Sequence, residues 1–206
     1  MTALRRGVAG TAIDAVMRLD AATRVSCLDR AGALGPLIAL GRYGIKRHVL
    51  MPGFAALWLL GRERNRPKLE AAGRLGLVSV VGTALAIDAV KLAMGRERPD
   101  AGAGPDSWRR GVRSRSFPSG HAGTVFAAAT VAAIMAEDVA LGGTAYATAM
   151  LLAWSRMLCD RHWLSDVVAG AALGTAVTLG ARAALPELDP PAGGEAGGVG
   201  RAVPVP

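Results

Sequence analysis

Three separated stretches of this chain carry side chains suited to holding and attacking a phosphate-like anion. KLAMGRERP supplies Lys91 and, after six residues, Arg98. FPSGH supplies Pro118, Ser119, Gly120 and His121, and SRMLCDRHWLSD supplies Arg156, His162 and Asp166. Lys91 and Arg98 stand about two helical turns apart, so a helix ending near Gly95 can aim both cations at one anion from its end and the loop that follows. Taken alone, either would read as a snorkelling or solvated cation. Pro118 suits the first turn of a helix, where unpaired amides at the positive end of the dipole receive anions. There Ser119 adds a hydroxyl and Gly120 allows close backbone approach.

His162 and Asp166 are four residues apart, which predicts that they share one face of a helix beginning nearby. A carboxylate so placed takes the proton of one imidazole nitrogen and leaves the other free to attack. Alone, the pair would be an ordinary i,i+4 surface pair. Arg156, at the end of the preceding apolar block, offers the planar fork that clamps phosphate oxygens.

These stretches must be carried by long apolar segments. Just over half of the chain, 51%, is hydrophobic, mostly Ala, Leu and Val, and the apolar residues gather into blocks separated by basic loops. Five blocks, at 49–61, 75–95, 121–136, 139–155 and 163–185, invite a spanning reading, and a sixth at 31–44 is broken by glycines and a proline. Several fall short of the about 20 residues that cross a hydrocarbon core, so their polar ends are expected to project beyond it. The expected fold class is all-α: a polytopic membrane helix bundle of about six helices, five clear spans and an N-terminal amphipathic or short helix.

Following the chain back and forth across a bilayer puts the end of the 75–95 segment, the start of the 121–136 segment and the 156–162 loop on one membrane face. The loop GRERNRPKLEAAGR, with Arg62, Arg64, Arg66, Lys68 and Arg74, reads as cytoplasmic. The shared face is then the outer one. The arginines of the 96–115 loop, Arg96, Arg98, Arg109, Arg110, Arg113 and Arg115, are set aside as candidate phosphate ligands. Residues 1–30 carry Asp14, Arg18, Asp20 and Arg24 where a signal peptide needs an unbroken apolar run, and read as a retained, amphipathic interfacial helix, with an ordinary surface helix packed on the bundle as the alternative.

One domain is expected over 1–187, with 1–45 as its lead-in, followed by a flexible Gly/Pro-rich tail over 188–206. Asp88, one turn before Lys91, is expected as its partner. The net charge of +8 fits anionic headgroups or a phosphate substrate. Nucleic acid is not expected, because no recognition-helix or stacking pattern accompanies the arginines. Cys27 and Cys159 form neither a disulfide framework nor a metal-ligand spacing.

Together the stretches resemble the three signature motifs of the type 2 phosphatidic acid phosphatase superfamily: a lysine six residues before Arg-Pro, then Pro-Ser-Gly-His, then Ser-Arg with five residues to a histidine and three more to an aspartate. The resemblance runs from Lys91 to Asp166, and every fixed position is present in order. It implies an integral-membrane lipid phosphatase of the bacterial inner membrane that uses no metal or other cofactor. Carried over by position, it makes His162 the nucleophile that becomes phosphohistidine, Asp166 its orienting partner and His121 the general acid. Lys91, Arg98, Ser119, the Gly120 amide and Arg156 would stabilise the transferring phosphoryl group.

The implied partners are the bilayer and a lipid phosphate or isoprenoid diphosphate, with undecaprenyl diphosphate and phosphatidylglycerol phosphate foremost. Phosphatidate and lipid A fit the same boundary position. Two other readings use the same residues: a catalytically silent protein that binds or transports a lipid phosphate, and a relative of the vanadium-dependent haloperoxidases, which are soluble and larger.

Overall fold

The computed structural model describes residues 2–43, 46–109 and 115–188. Arg110, Arg113 and residues 189–206, which include nearly all of the expected tail, lie outside it. Within the described residues the chain is all-α. The helices are α1 (Thr2–Ala31), α2 (Gly35–Tyr43), α3 (Arg47–Glu63), α4 (Pro67–Met94), α5 (Gly120–Ala136), α6 (Val139–Leu158) and α7 (Leu164–Ala184). Each apolar block of the sequence is therefore a helix, and so is the broken 31–44 segment, where a 3-10 turn at Gly32–Leu34 joins α1 to α2.

Two of these helices, α4 and α7, are long and apolar enough to cross a membrane. α5 is equally apolar but shorter, at 17 residues. The core is made where α4, α5, α6 and α7 meet. Val125, Ala129, Ala149 and Leu152 pack between α5 and α6, and Ala122, Ala153 and Val167 join α5, α6 and α7. Small side chains let these helices come close. A Cβ at Gly170 would collide with the Ser119 carbonyl, so glycine there is what lets α7 press against the start of α5.

Outside this core, large apolar side chains face outward: Val78, Val81 and Leu85 on α4, Met150 and Leu151 on α6, Val168 and Leu179 on α7. On α1, Ile13, Val16, Leu19, Val25 and Leu28 are exposed alongside Asp14, Arg18 and Asp29, while Asp20 and Cys27 are buried.

The helix ends sort into two layers. At one end the α3–α4 turn and the α5–α6 turn meet, with Lys68 Nζ 3.5 Å from Glu137 Oε2. At the other lie the end of α4, the start of α5, the end of α6 and the start of α7. Gly95 closes α4 in the left-handed region, φ 63°, which frees the chain to turn into the 96–109 loop. A single antiparallel bridge between Arg96 and Trp108 ties that loop back on itself.

Candidate active site

The second layer contains one cleft of about 750 Å³ whose wall includes Lys91, Arg98, Gly120, His121, Arg156 and His162. Three stretches far apart in sequence thus meet at one surface. Each is delivered by a helix end: Lys91 in the last turn of α4, Gly120 and His121 in the first turn of α5, Arg156 in the last turn of α6. Lys46, Arg47 and Arg161 add further positive charge to the cleft, which His48 also lines.

His162 precedes α7 by two residues, so it and Asp166 do not share a helix face. The helix begins at Leu164 because Asp166 reaches back to accept the Trp163 amide at 2.9 Å, as an N-terminal capping carboxylate does. The orienting contact survives this change. His162 Nδ1 lies 3.6 Å from Asp166 Oδ2 and 3.4 Å from Ser116 Oγ. Ser116 donates its hydroxyl to the same Asp166 oxygen in a short hydrogen bond, so its lone pairs and the carboxylate both face Nδ1. Placing the proton on Nδ1 leaves Nε2 with its lone pair. Burial pushes the His162 pKa down to about 4, against the upward pull of Asp166 and with Lys91 and Arg98 adding to the decrease. The ring is neutral at neutral pH.

Asp166 is fully buried and heavily served by donors. Arg96 Nη1 reaches Oδ1 at 2.7 Å, while Ser116 and the Trp163 amide occupy Oδ2. Arg96 itself is 0% exposed and is bonded to Pro105, Ser165 and Asp20. Its guanidinium lies over the rings of Trp108 and Trp163, 4.9 and 5.5 Å from their centroids. Arg96 is a buried counter-ion here and not a phosphate ligand. Ser116, Arg96 and Asp20 are absent from the motif-based set; the oddity of an aspartate breaking the apolar pattern of residues 1–30 is the one signal that pointed at Asp20.

Three local expectations change. The helix after FPSGH starts at Gly120, with Ser119 as its N-cap, so Pro118 stands before the helix and outside its first turn. Ser119 is fully buried, its Oγ 3.4 Å from the Ala122 amide and its own amide bonded to the Asp166 carbonyl at 2.9 Å. It therefore locks α5 to α7. Asp88 does not partner Lys91: it pairs with Arg47 at 3.2 Å, and Lys91 Nζ donates to the Arg115 carbonyl at 2.9 Å. That anchor fixes the ammonium at the cleft wall.

Two polar atoms on this wall, Arg98 Nε and His121 Nε2, are buried with no hydrogen-bond partner among the described residues. Unpaired buried donors are costly, and a tetrahedral oxyanion in the cleft would serve both. Burial also lowers the Arg98 pKa, with Arg161 next in effect, so an anion there is favoured electrostatically. The Gly120 amide is one of those an α-helix leaves unpaired at its start.

The PAP2 superfamily model matches residues 73–188. A lipid A 1-phosphatase of Porphyromonas gingivalis is 31% identical over 152 residues, covering 73% of this chain and 29% of that protein. The chain thus spans well under half of that relative's length. The crystal structure of Aquifex aeolicus LpxE superposes with a TM-score of 0.52 at 20% identity, covering 72% of this chain and 82% of the other, a likeness of fold. With a family match over more than half of its length, and the motif residues converging on one cleft, the chain belongs to the PAP2 superfamily.

Proposed function

We propose that this protein is a membrane phosphatase that removes phosphate from a lipid phosphate or diphosphate through a phosphohistidine. The observation that carries the reading is the buried, neutral His162, its Nδ1 turned to Asp166 and Ser116, in a cleft walled by Lys91, Arg98, His121 and Arg156.

His162 Nε2 attacks phosphorus in line with the ester oxygen. As the P–O bond breaks, His121, carrying a proton taken up with the anionic phosphate, gives that proton to the departing oxygen. Water then attacks the phosphohistidine, passing its proton to His121, and the N–P electron pair returns to His162. Lys91, Arg98, Arg156 and the first amides of α5 hold the three equatorial oxygens, which is where phosphoryl transfer needs stabilisation. Each group acts from a rigid helix end or a tied loop, so little reorganisation is needed at the moment of reaction.

The outward-facing apolar side chains and the two long apolar helices support a bundle seated in a bilayer. α4, 28 residues, is about 42 Å long at 1.5 Å per residue, enough to carry the basic α3–α4 turn to one surface and Lys91 to the other. The positive-inside rule then puts the cleft on the outer face, at headgroup depth. A relative named as a lipid A 1-phosphatase supports a lipid phosphate as substrate. Undecaprenyl diphosphate, phosphatidylglycerol phosphate and a lipid A 1-phosphate all present the scissile group at that depth.

The test is phosphate release by detergent-purified protein from a panel of these lipids in EDTA, with His162→Ala as control. Release that depends on His162 and withstands EDTA is expected. Release by His162→Ala equal to that of the wild type would remove the histidine as nucleophile. Folded protein that binds these lipids without releasing phosphate would make it a lipid-phosphate carrier.

A further inference from the structure

The family match begins at residue 73, yet one of the best-buried carboxylates in the molecule, Asp20, sits far outside it on α1 at 1% exposure. Its bonds all lead toward the site. Oδ1 accepts the Ser165 amide at 2.8 Å, and Oδ2 accepts both the Ser165 hydroxyl at 2.6 Å and Arg96 Nη2 at 2.7 Å. A second contact lies one turn on. Arg24 grips Asp160 with two bonds of 2.7 Å, in the turn that leads into His162.

We infer that α1 is a working part of the active site, with Asp20 as a positioning residue that acts on His162 through Arg96 and Asp166. The inference rests on the reading of His162 as nucleophile and Asp166 as its orienting group. Arg96 bridges two buried carboxylates, with Nη2 on Asp20 and Nη1 on Asp166 Oδ1. By occupying Oδ1 it presents Oδ2 to Ser116 and His162.

The guanidinium cannot swing away, because Pro105 accepts from both Nε and Nη2 and two tryptophan rings flank it. Asp20 thereby does two jobs at the start of α7. It accepts a first-turn amide from a neighbouring helix, as a carboxylate at the positive end of the dipole does, and it fixes the cation that aligns Asp166. An apolar residue at position 20 would leave Arg96 with Asp166 as its one carboxylate and the Ser165 amide without its acceptor.

The chain has three histidines, His48, His121 and His162, so the protein labelled with 13C,15N-histidine gives few, assignable imidazole signals in detergent. His162 faces Asp166, Lys91 and Arg98 among charged groups. In Arg96→Gln the guanidinium no longer offsets Asp166 while Lys91 and Arg98 stay in place, and the His162 titration is expected to move up from about 4 toward the ordinary imidazole value. Asp20→Asn is expected to lower kcat about tenfold or more with KM little changed, and Asp20→Glu to recover part of it. In the Arg96→Gln background, Asp20→Asn should cost almost nothing further, the non-additivity of residues acting in one chain.

Thermal unfolding in detergent checks that each variant is folded. Should Arg96→Gln not fold, Ser165→Ala, which removes the hydroxyl shared by Asp20 and Arg96, is expected to lower kcat severalfold with KM unchanged. A His162 titration identical to wild type in Arg96→Gln, or full additivity of the two substitutions, overturns the inference. The titration needs no turnover, so a shift of His162 in Asp20→Asn as well as in Arg96→Gln decides the coupling even if no lipid of the panel is hydrolysed.

Discussion

His162 Nδ1 stands 3.6 Å from Asp166 Oδ2 and 3.4 Å from Ser116 Oγ, inside a site where all three side chains are buried. The imidazole is oriented by two acceptors at once, one charged and one neutral. This doubles the constraint on the ring plane and fixes which nitrogen carries the proton.

Loss of the charged acceptor should therefore be severe. Asp166→Asn is expected to lower kcat by about 10³–10⁴, the scale seen when an orienting aspartate becomes an amide. It also takes from Arg96 one of its two carboxylates, leaving Asp20 as its counter-ion, and so lowers stability as well. Thermal unfolding measured beside kcat separates the two effects. A variant that is folded and retains wild-type kcat would remove Asp166 from the mechanism.

Ser116→Ala isolates the neutral acceptor. The side chain is fully buried and alanine nearly fills its space, so the fold should hold while one bond to a carboxylate is lost. Such a bond contributes about 1.5–3 kcal/mol, which predicts kcat lower by roughly 10- to 100-fold with KM within a factor of about three. Steady-state kinetics on a lipid substrate in detergent gives both numbers.

Much of this site was legible before any fold was known, because the chemistry-bearing residues are spaced for helix ends and the apolar blocks fix which ends share a face. Lys91, His121, Arg156 and His162 converge as their order along the chain requires. What could not be read were contacts that depend on packing at long range. Asp20 and Arg96 are 76 residues apart, and nothing local marks them as partners. Ser116 looked like any residue of a loop rich in arginine and serine. Asp88 failed as the partner of Lys91 because α3 brings Arg47 nearer, and Pro118 failed as a first-turn residue because Ser119 caps the helix one step later.

The pH profile follows from the burial of His162. In the proposed mechanism His162 must be unprotonated to attack, and its folded-state pKa is depressed to about 4, with desolvation the chief cause. Activity should thus persist as pH falls through the ordinary imidazole range near 6.5 and be lost only on approach to about 4. The measurement is kcat/KM against pH, which reports groups of the free enzyme. An acid limb near 6.5 would mean that the ring is more hydrated than the cleft geometry implies.

Gly170→Ala tests the seam between α7 and α5. An added Cβ would meet the Ser119 carbonyl, a backbone atom that cannot rotate aside. Overpacking of this kind costs about 1–3 kcal/mol, and the displaced atom belongs to the residue that caps α5 and precedes Gly120 and His121. The expected result is a lower melting temperature together with lower kcat. Gly143, near the start of α6 and with open space around its Cβ position, serves as control, and Gly143→Ala should change neither.

His121 can be separated from His162 by the choice of leaving group. If His121 donates a proton to the departing oxygen, its importance scales with how badly that oxygen needs one. A lipid alkoxide is strongly basic and cannot leave unprotonated, whereas a nitrophenolate can. His121→Ala is therefore expected to slow phosphate release from a lipid monophosphate by about 10²–10⁴ and from a nitrophenyl phosphate far less. His162→Ala should abolish both, because it removes the bond-forming atom. Parallel losses on the two substrates in His121→Ala would instead assign this histidine, whose Nε2 has no partner among the described residues, to holding the phosphoryl oxygens. The ratio of the two rates in one variant thus distinguishes a proton donor from a phosphate ligand without any change to the fold.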